Sequence, residues 1–336
     1  MKKLYLIILS QLISIVVLFS QEITYDEFYK KIIALENEGN YTNAKELAEK
    51  NIDKFQVHWF ETSKEILYIN EKLGNYAENI ELFKLAHEKG LFYFLHPQMP
   101  KYGPYKGLPD FDTISKVDLQ LRNAALEQSK TIYRVQLPEN YNENGKYPAI
   151  FILHGGGKSI SESIGHWQAP SLNQNYVKIY LQSYRHFDFN SFGWGTNDPR
   201  LDNDIKKICT EIIAFYPIDT AEILISGISA GASAAIDIAL RGVIPVKGFI
   251  AYCPDLPSFL KNNNFSLLKN TKAVGYISSG ENDHFLPRQE LMLTLLDSLG
   301  IRSKLVIDSC RGHEYPENEG ITVKNAIHFL NSKTKP

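Results

Sequence analysis

The chain has 336 residues with 44% hydrophobic content, enough to bury a large core and long enough for two domains, which excludes a disordered chain. Its net charge of −2 sets up no field for nucleic acid or an anionic membrane surface, and points to a neutral or small-molecule substrate. The three cysteines, Cys209, Cys253 and Cys310, are too few and too scattered for a disulfide framework or a zinc site, and read as thiols at element ends with one bridge left open to an exported chain.

Met1-Lys2-Lys3 followed by an apolar run from Leu4 to Phe19, interrupted by Ser10, Gln11 and Ser14, is short for a bilayer span and has the basic start of a secretory leader. A signal peptide over 1–20, cut near Ser20-Gln21, is therefore expected, and with it a secreted or periplasmic location; the alternative is an uncleaved anchor. From 21 to 96 the apolar spacing is helical: Tyr25, Phe28, Ile32, Leu35; then Ala44, Leu47, Ala48, Ile52; then Ile66, Ile69, Leu73; then Ile80, Phe83, Ala86. Gly39-Asn40-Tyr41 and Gly74-Asn75-Tyr76 each join two such helices and imply two similar helix hairpins. This part resembles tetratricopeptide repeats in its Gly-Asn-Tyr turns, in Ala44, and in Phe83 and Ala86. It departs from them at Asn79, which stands where alanine is expected. A structural cap and a binding groove for a protein partner are both open to such a module.

Residues 97–130 begin with a stretch rich in proline and glycine, which breaks helices and marks a connector, and continue into a short helix over 114–128. From 131 to 336 the period turns strand-like. Apolar runs at 132–137, 148–153, 177–181, 223–225, 246–252, 273–278 and 304–307 alternate with helical stretches at 202–214, 230–241, 287–299 and 322–331. The fold class expected is therefore α/β: a mainly parallel sheet with helices on both faces, preceded by a small all-α helical-hairpin domain. Ligands of such a sheet bind beyond the strand C-termini.

Four of those strand ends carry chemistry. Gly227-Ile228-Ser229-Ala230-Gly231 sits between a strand and a helix, so Ser229 is held in a strained turn with its hydroxyl projecting at the helix N-terminus. The flanking glycines are needed because a Cβ at either place would collide with the neighbouring strand or helix. His154-Gly155-Gly156-Gly157 follows the 148–153 strand; its backbone N–H groups, with that of Ala230, can form an oxyanion hole, while His154 packs and holds the loop. A phosphate cradle is the competing reading, but neither glycine-rich phosphate motif is present. Asp283 and His313 follow two later strands at the same sheet edge, and the order Ser, Asp, His suits this architecture. Glu281 and Asp255 compete with Asp283, and His284 reads as a pocket wall. The stretch from Tyr184 to Gly195 is aromatic, so Tyr184 and Trp194 are expected on a substrate-binding rim, with Trp167 as a further candidate.

At these positions the chain resembles the α/β-hydrolase superfamily, and within it secreted esterases of the dienelactone-hydrolase, feruloyl-esterase and prolyl-oligopeptidase-like branches. The resemblance spans about 131–330 and rests on Tyr-Pro before Leu153-His154-Gly155, on Gly-x-Ser-x-Gly around Ser229, on Asp283 four residues before Pro287, and on Gly312-His313. It implies Ser229 as nucleophile, His313 as general base and acid, Asp283 as the orienting carboxylate, and Gly155 or Gly156 with Ala230 as oxyanion donors. The reaction it implies is hydrolysis of a small-molecule or carbohydrate-linked carboxylic ester through an acyl-enzyme, with no metal or organic cofactor. A prolyl-oligopeptidase-like peptidase and a non-catalytic protein that binds partners through its helical module are the alternatives.

Overall fold

The structure is a computed structural model that describes residues 23–270 and 272–332; the expected leader lies outside the described residues. The chain divides into two compact units, one ending at Leu82 and the other beginning at Phe83.

The first unit holds α1 (Tyr25–Asn37), α2 (Tyr41–Asn51), α3 (Trp59–Leu73) and the start of α4 (Tyr76–Glu88), inside which the division falls. Thr24 starts α1 with a capping box: its hydroxyl accepts the Glu27 N–H while the Glu27 carboxylate accepts the Thr24 N–H. Gly39 (φ 72°) and Gly74 (φ 76°) close α1 and α3 in left-handed backbone that a side chain would strain. Phe28, Ile32, Ala44, Ala48, Ile66 and Ile69 form the core. Asn79 is buried there, accepting from Asn70 Nδ2 at 2.8 Å and donating to the Leu67 carbonyl at 3.0 Å. An amide in place of alanine is thus tolerated because both of its ends find partners.

In the second unit α5 (Phe111–Gln128) starts a turn earlier than the sequence suggests. Its buried Asp118 accepts the N–H groups of Tyr93 (2.6 Å) and Leu95 (3.1 Å) and pairs with His87 at 3.1 Å, which gives the extended segment after α4 the acceptors a sheet would otherwise supply. There follow β1 (Ile132–Gln136), β2 (Tyr147–Leu153), α6 (Ile160–Gly165), α7 (Pro170–Asn175), β3 (Val177–Gln182), β4 (Arg185–Asp188), β5 (Ser191–Gly193), α8 (Pro199–Phe215), β6 (Ile218–Ile228), α9 (Ala230–Arg241), β7 (Gly248–Tyr252), α10 (Ser258–Lys261), β8 (Val274–Gly280), α11 (Leu286–Ser298), β9 (Ser303–Asp308) and α12 (Glu319–Asn331).

Seven strands form one sheet in the order β1-β3-β2-β6-β7-β8-β9, parallel except for the edge pair β1–β3. Side chains alternate between its faces. Phe151, Ile179, Ile225, Phe249 and Ile277 meet α8, α9, α10 and α11 on one side. Ile150, Ile152, Tyr180, Leu224, Ile250 and Tyr276 meet α6, α7 and α12 on the other. This is the α/β-hydrolase fold, and the C-terminal ends of β2, β6, β7, β8 and β9 share one edge.

Two features depart from the sequence reading. The aromatic stretch after β3 folds as the β4–β5 hairpin, because Asp188 Oδ1 accepts from Asn190 N–H (3.1 Å) and Ser191 N–H (2.8 Å) and so turns the chain back on itself. Within β3, Lys178 is fully buried and donates to the carbonyl of Trp167 (3.3 Å), to Gln168 Oε1 (3.2 Å) and to Asn173. Burial lowers its ammonium to about 8.

Phe151 is fully buried in the middle of β2. Phe151→Ala is expected to cost about 3–5 kcal/mol, read as a lowered urea midpoint with an unchanged slope.

Candidate active site

The turn from β6 into α9 is set by what surrounds its glycines. A Cβ at Gly227 would lie 2.7 Å from the Gly231 carbonyl carbon and 2.8 Å from the Leu153 oxygen; one at Gly231 would lie 2.3 Å from the His154 oxygen. Glycine at both positions lets the first turn of α9 rest on the end of β2. Ser229 between them takes φ 54°, ψ −122°, a conformation a side-chain-bearing residue holds only under constraint. Its N–H donates to the Tyr252 carbonyl at 2.8 Å, which ties the turn to the end of β7.

His313 Nε2 lies 2.8 Å from Ser229 Oγ, and His313 Nδ1 lies 3.0 Å from Asp283 Oδ1. Three residues from three separate loops meet at one sheet edge. With its Nδ1–H given to the carboxylate, the imidazole presents its Nε2 lone pair to the hydroxyl proton. Asp283, 4% exposed, is well supplied with donors. Its Oδ1 also accepts the Phe285 N–H (2.9 Å), and its Oδ2 accepts from Ser279 Oγ (2.9 Å) and Gln289 Nε2 (3.0 Å). Burial opposes ionisation, but the bonds from Phe285, His313 and Gln289 outweigh it and hold the carboxyl at about 2. The loop that carries His313 is pinned by buried Arg311, which donates to Glu314 O (2.8 Å) and Ser278 Oγ (2.8 Å) and pairs with Asp308 (3.0 Å).

The competing carboxylates point elsewhere. Glu281 accepts the Cys310 N–H at 3.2 Å, and Asp255 pairs with Arg288 at 2.9 Å. His284 is exposed and packs at a tilt beside His313, with ring centroids 4.7 Å apart. Gln289 and Ser279 were not singled out by sequence. Gln289 lies six residues beyond Asp283 on α11 and carries no motif; only its position two residues beyond Pro287, in the first turn of a helix that starts beside the carboxylate, marks it.

The loop after β2 is organised by His154. Its Nδ1 donates to Gly155 O (2.6 Å) and its Nε2 accepts the Ser183 N–H (3.3 Å), so the buried ring is neutral, and burial pulls it down to about 4. Because a trans peptide directs its C=O and N–H oppositely, fixing the Gly155 carbonyl on His154 turns the Gly156 N–H away from that ring. Gly156 approaches Ala230, where an added Cβ would meet the Ala230 Cβ at 3.3 Å. As the first residue of α9, Ala230 has an N–H with no acceptor inside the helix. The Gly157 N–H is already given to Phe192 O of β5 at 2.8 Å.

The aromatic candidates have structural duties. Tyr184 is buried in the core: its hydroxyl donates to Asp198 (2.6 Å), the N-cap of α8, and its ring lies under Arg200, so the expected rim position is corrected to an interior one. Trp194 is half-buried and donates its indole N–H to His154 O at 2.8 Å, supporting the glycine loop from beneath. Trp167 is fully buried against Tyr252, with which it stacks at 4.6 Å.

No protein-family model matches this chain, and no curated protein does. Among solved structures, an uncharacterized protein from Bacillus cereus ATCC 10987 is 19% identical, with 93% of this chain and 100% of that one covered at a TM-score of 0.51. A phospholipase/carboxylesterase from Dyadobacter fermentans DSM 18053 is 18% identical over 60% of this chain and 97% of its own, at a TM-score of 0.47. A CE1 ferulic acid esterase from the anaerobic fungus Anaeromyces mucronatus is 18% identical over 61% and 90%, at 0.46. The first of these likenesses is one of fold.

Gly231→Ala is expected to leave little or no folded protein, because its Cβ would meet backbone oxygen at 2.3 Å; soluble yield and circular dichroism check this. His154 gives a pH signature of known sign. Its folded value of about 4 lies below the ordinary 6.5, so between these values the unfolded chain takes up a proton that the folded ring refuses. Stability is therefore whole above pH 6.5 and falls by roughly 3 kcal/mol as the pH drops toward 4. Urea unfolding across that window should show the loss, and His154→Gln should flatten it.

Proposed function

We propose that the protein is a serine hydrolase that cleaves carboxylic esters of small molecules or carbohydrates. The observation that carries this reading is the hydrogen-bonded chain from Ser229 Oγ through the His313 ring to Asp283 Oδ1, set at a strained strand-to-helix turn. In this mechanism His313 Nε2 takes the hydroxyl proton as Ser229 Oγ attacks the ester carbonyl, and Asp283 stabilises the imidazolium that forms. Negative charge grows on the carbonyl oxygen, and the N–H groups of Gly156 and Ala230 are the donors best suited to receive it. His313 then returns the proton to the departing alcohol. Water, deprotonated by the same imidazole, releases the acid from Ser229.

The ionised state of Asp283 supports this reading, since a carboxyl held at about 2 stays charged at any pH where the enzyme would work. So does the neutral, doubly bonded His154, which keeps the glycine loop in one conformation without adding a competing cation. Export through the leader at 1–20 belongs to the same proposal.

The test is covalent capture. A fluorophosphonate should add to Ser229 in the wild type and not in Ser229→Ala, and folded protein that stays unlabelled would overturn the proposal. Ser229→Ala and His313→Ala should each lower kcat on a nitrophenyl ester by about 10⁴-fold or more with the fold intact. Feruloyl, acetyl-sugar and prolyl-amide substrates run beside it assign the acyl group and separate an esterase from a peptidase.

A further inference from the structure

Cys253, which ester cleavage does not use, completes a second constellation with Asp283 and His313 at the same sheet edge. It follows β7 directly in left-handed backbone (φ 49°), with its N–H on Ser278 O at 2.9 Å. The thiol is fully buried and reaches Glu314 O at 3.5 Å. One ligand atom each from Cys253, Asp283 and His313 lie within 4.8 Å of one another. Sulfur, imidazole nitrogen and carboxylate oxygen make a donor set suited to zinc, which binds them at about 2.3, 2.0–2.1 and 2.0–2.2 Å in a tetrahedron. The spacing of cysteines along the chain argues against a zinc site and is blind to this one, because its three ligands come from three different strand ends.

We infer that Cys253, Asp283 and His313 form a binding site for a thiophilic divalent cation of the zinc class, and that its occupancy switches hydrolysis off. The inhibitory half of this inference rests on the proposed mechanism; the binding half does not. Charge balances, since one dication meets one thiolate, one carboxylate and a neutral imidazole, leaving no net charge buried. Protons balance as well. The thiol proton leaves to solvent, one per ion bound. His313 keeps its single proton but gives the Nδ1 lone pair to the metal, so that proton moves to Nε2. An Nε2–H donates to Ser229 Oγ and has no lone pair left for the hydroxyl proton. Inhibition therefore follows from an inverted tautomer, with Ser229 itself untouched. The ion enters past His313, whose side chain is 25% exposed while those of the other two ligands are buried, and the Glu314 carbonyl or a water completes the four-coordinate shell.

Cobalt(II), the coloured stand-in for zinc, tests binding on the full chain without any turnover. A thiolate-to-cobalt charge-transfer band should appear in the wild type and in Cys310→Ser, whose altered thiol is the exposed one, and should vanish in Cys253→Ser. Zinc should inhibit nitrophenyl-ester hydrolysis, a chelator should restore it, and Cys253→Ser should need about tenfold more zinc or greater, each variant judged against its own zinc-free rate. Wild-type protein with no thiolate band, or a Cys253→Ser variant as zinc-sensitive as wild type, overturns the site. A thiolate band in a protein that turns over no ester supports the metal site and retires the hydrolase reading; turnover without a band does the reverse.

Discussion

The structure depends on one close contact: the first turn of α9 lies against the carbonyl oxygens of Leu153 and His154 at the end of β2. There is no room at Gly227 or Gly231 for even a methyl group. That approach brings the Ala230 N–H beside the glycine loop and forces Ser229 into its strained backbone. The strain costs about 1–3 kcal/mol and persists because a buried sheet and a small-residue helix over-determine it. All ten α9 residues from Gly231 to Leu240 are buried, and Ala232, Ala234, Ala235 and Ala239, fully buried and small, let the helix sit close to the sheet.

Around that contact, polar groups are arranged to hold geometry rather than to stabilise the fold in bulk. Asp283 has four donors and Arg311 three acceptors, and each fixes a loop at the C-terminal end of a strand. The glycine loop is held from several sides. His154 fixes its first peptide, Trp194 binds the His154 carbonyl, and β5 pairs with it through Gly157 N–H to Phe192 O and Phe192 N–H to Lys158 O. The β4–β5 hairpin is in turn joined to the segment after α4 by the Phe189 N–H to Phe92 O bond and by the edge-on contacts of Phe92 with His186 and Phe189. The extended segment around Phe92 therefore buttresses, through that hairpin, the loop that faces Ser229.

Parts of this were legible in the sequence because they depend on local period and local sterics. The strands at 148–153, 177–181 and 223–225 announce themselves as unbroken apolar runs, since a strand covered on both faces has no polar side. The Gly-x-Ser-x-Gly turn is readable because only glycine fits where two backbones touch. Asp198-Pro199 marks the start of α8, with an N-cap aspartate before a proline at the first helical position, although apolar spacing alone places that start later. The β4–β5 hairpin was hidden because its aromatic residues look like a rim until pairing partners are known, and Tyr184 was misplaced with it.

By itself the sequence determined the alternation of strands and helices, the nucleophile turn and the order in which the reactive side chains occur, since each follows from neighbours along the chain. Tertiary structure alone decided which carboxylate faces His313, that Gln289 and Ser279 support it, that His154 and Trp194 brace the glycine loop, and that Cys253 lies beside Asp283. The reason is physical: those relations are distances between the ends of separate strands, and parallel crossovers bring together residues whose separation in sequence carries no trace of their contact.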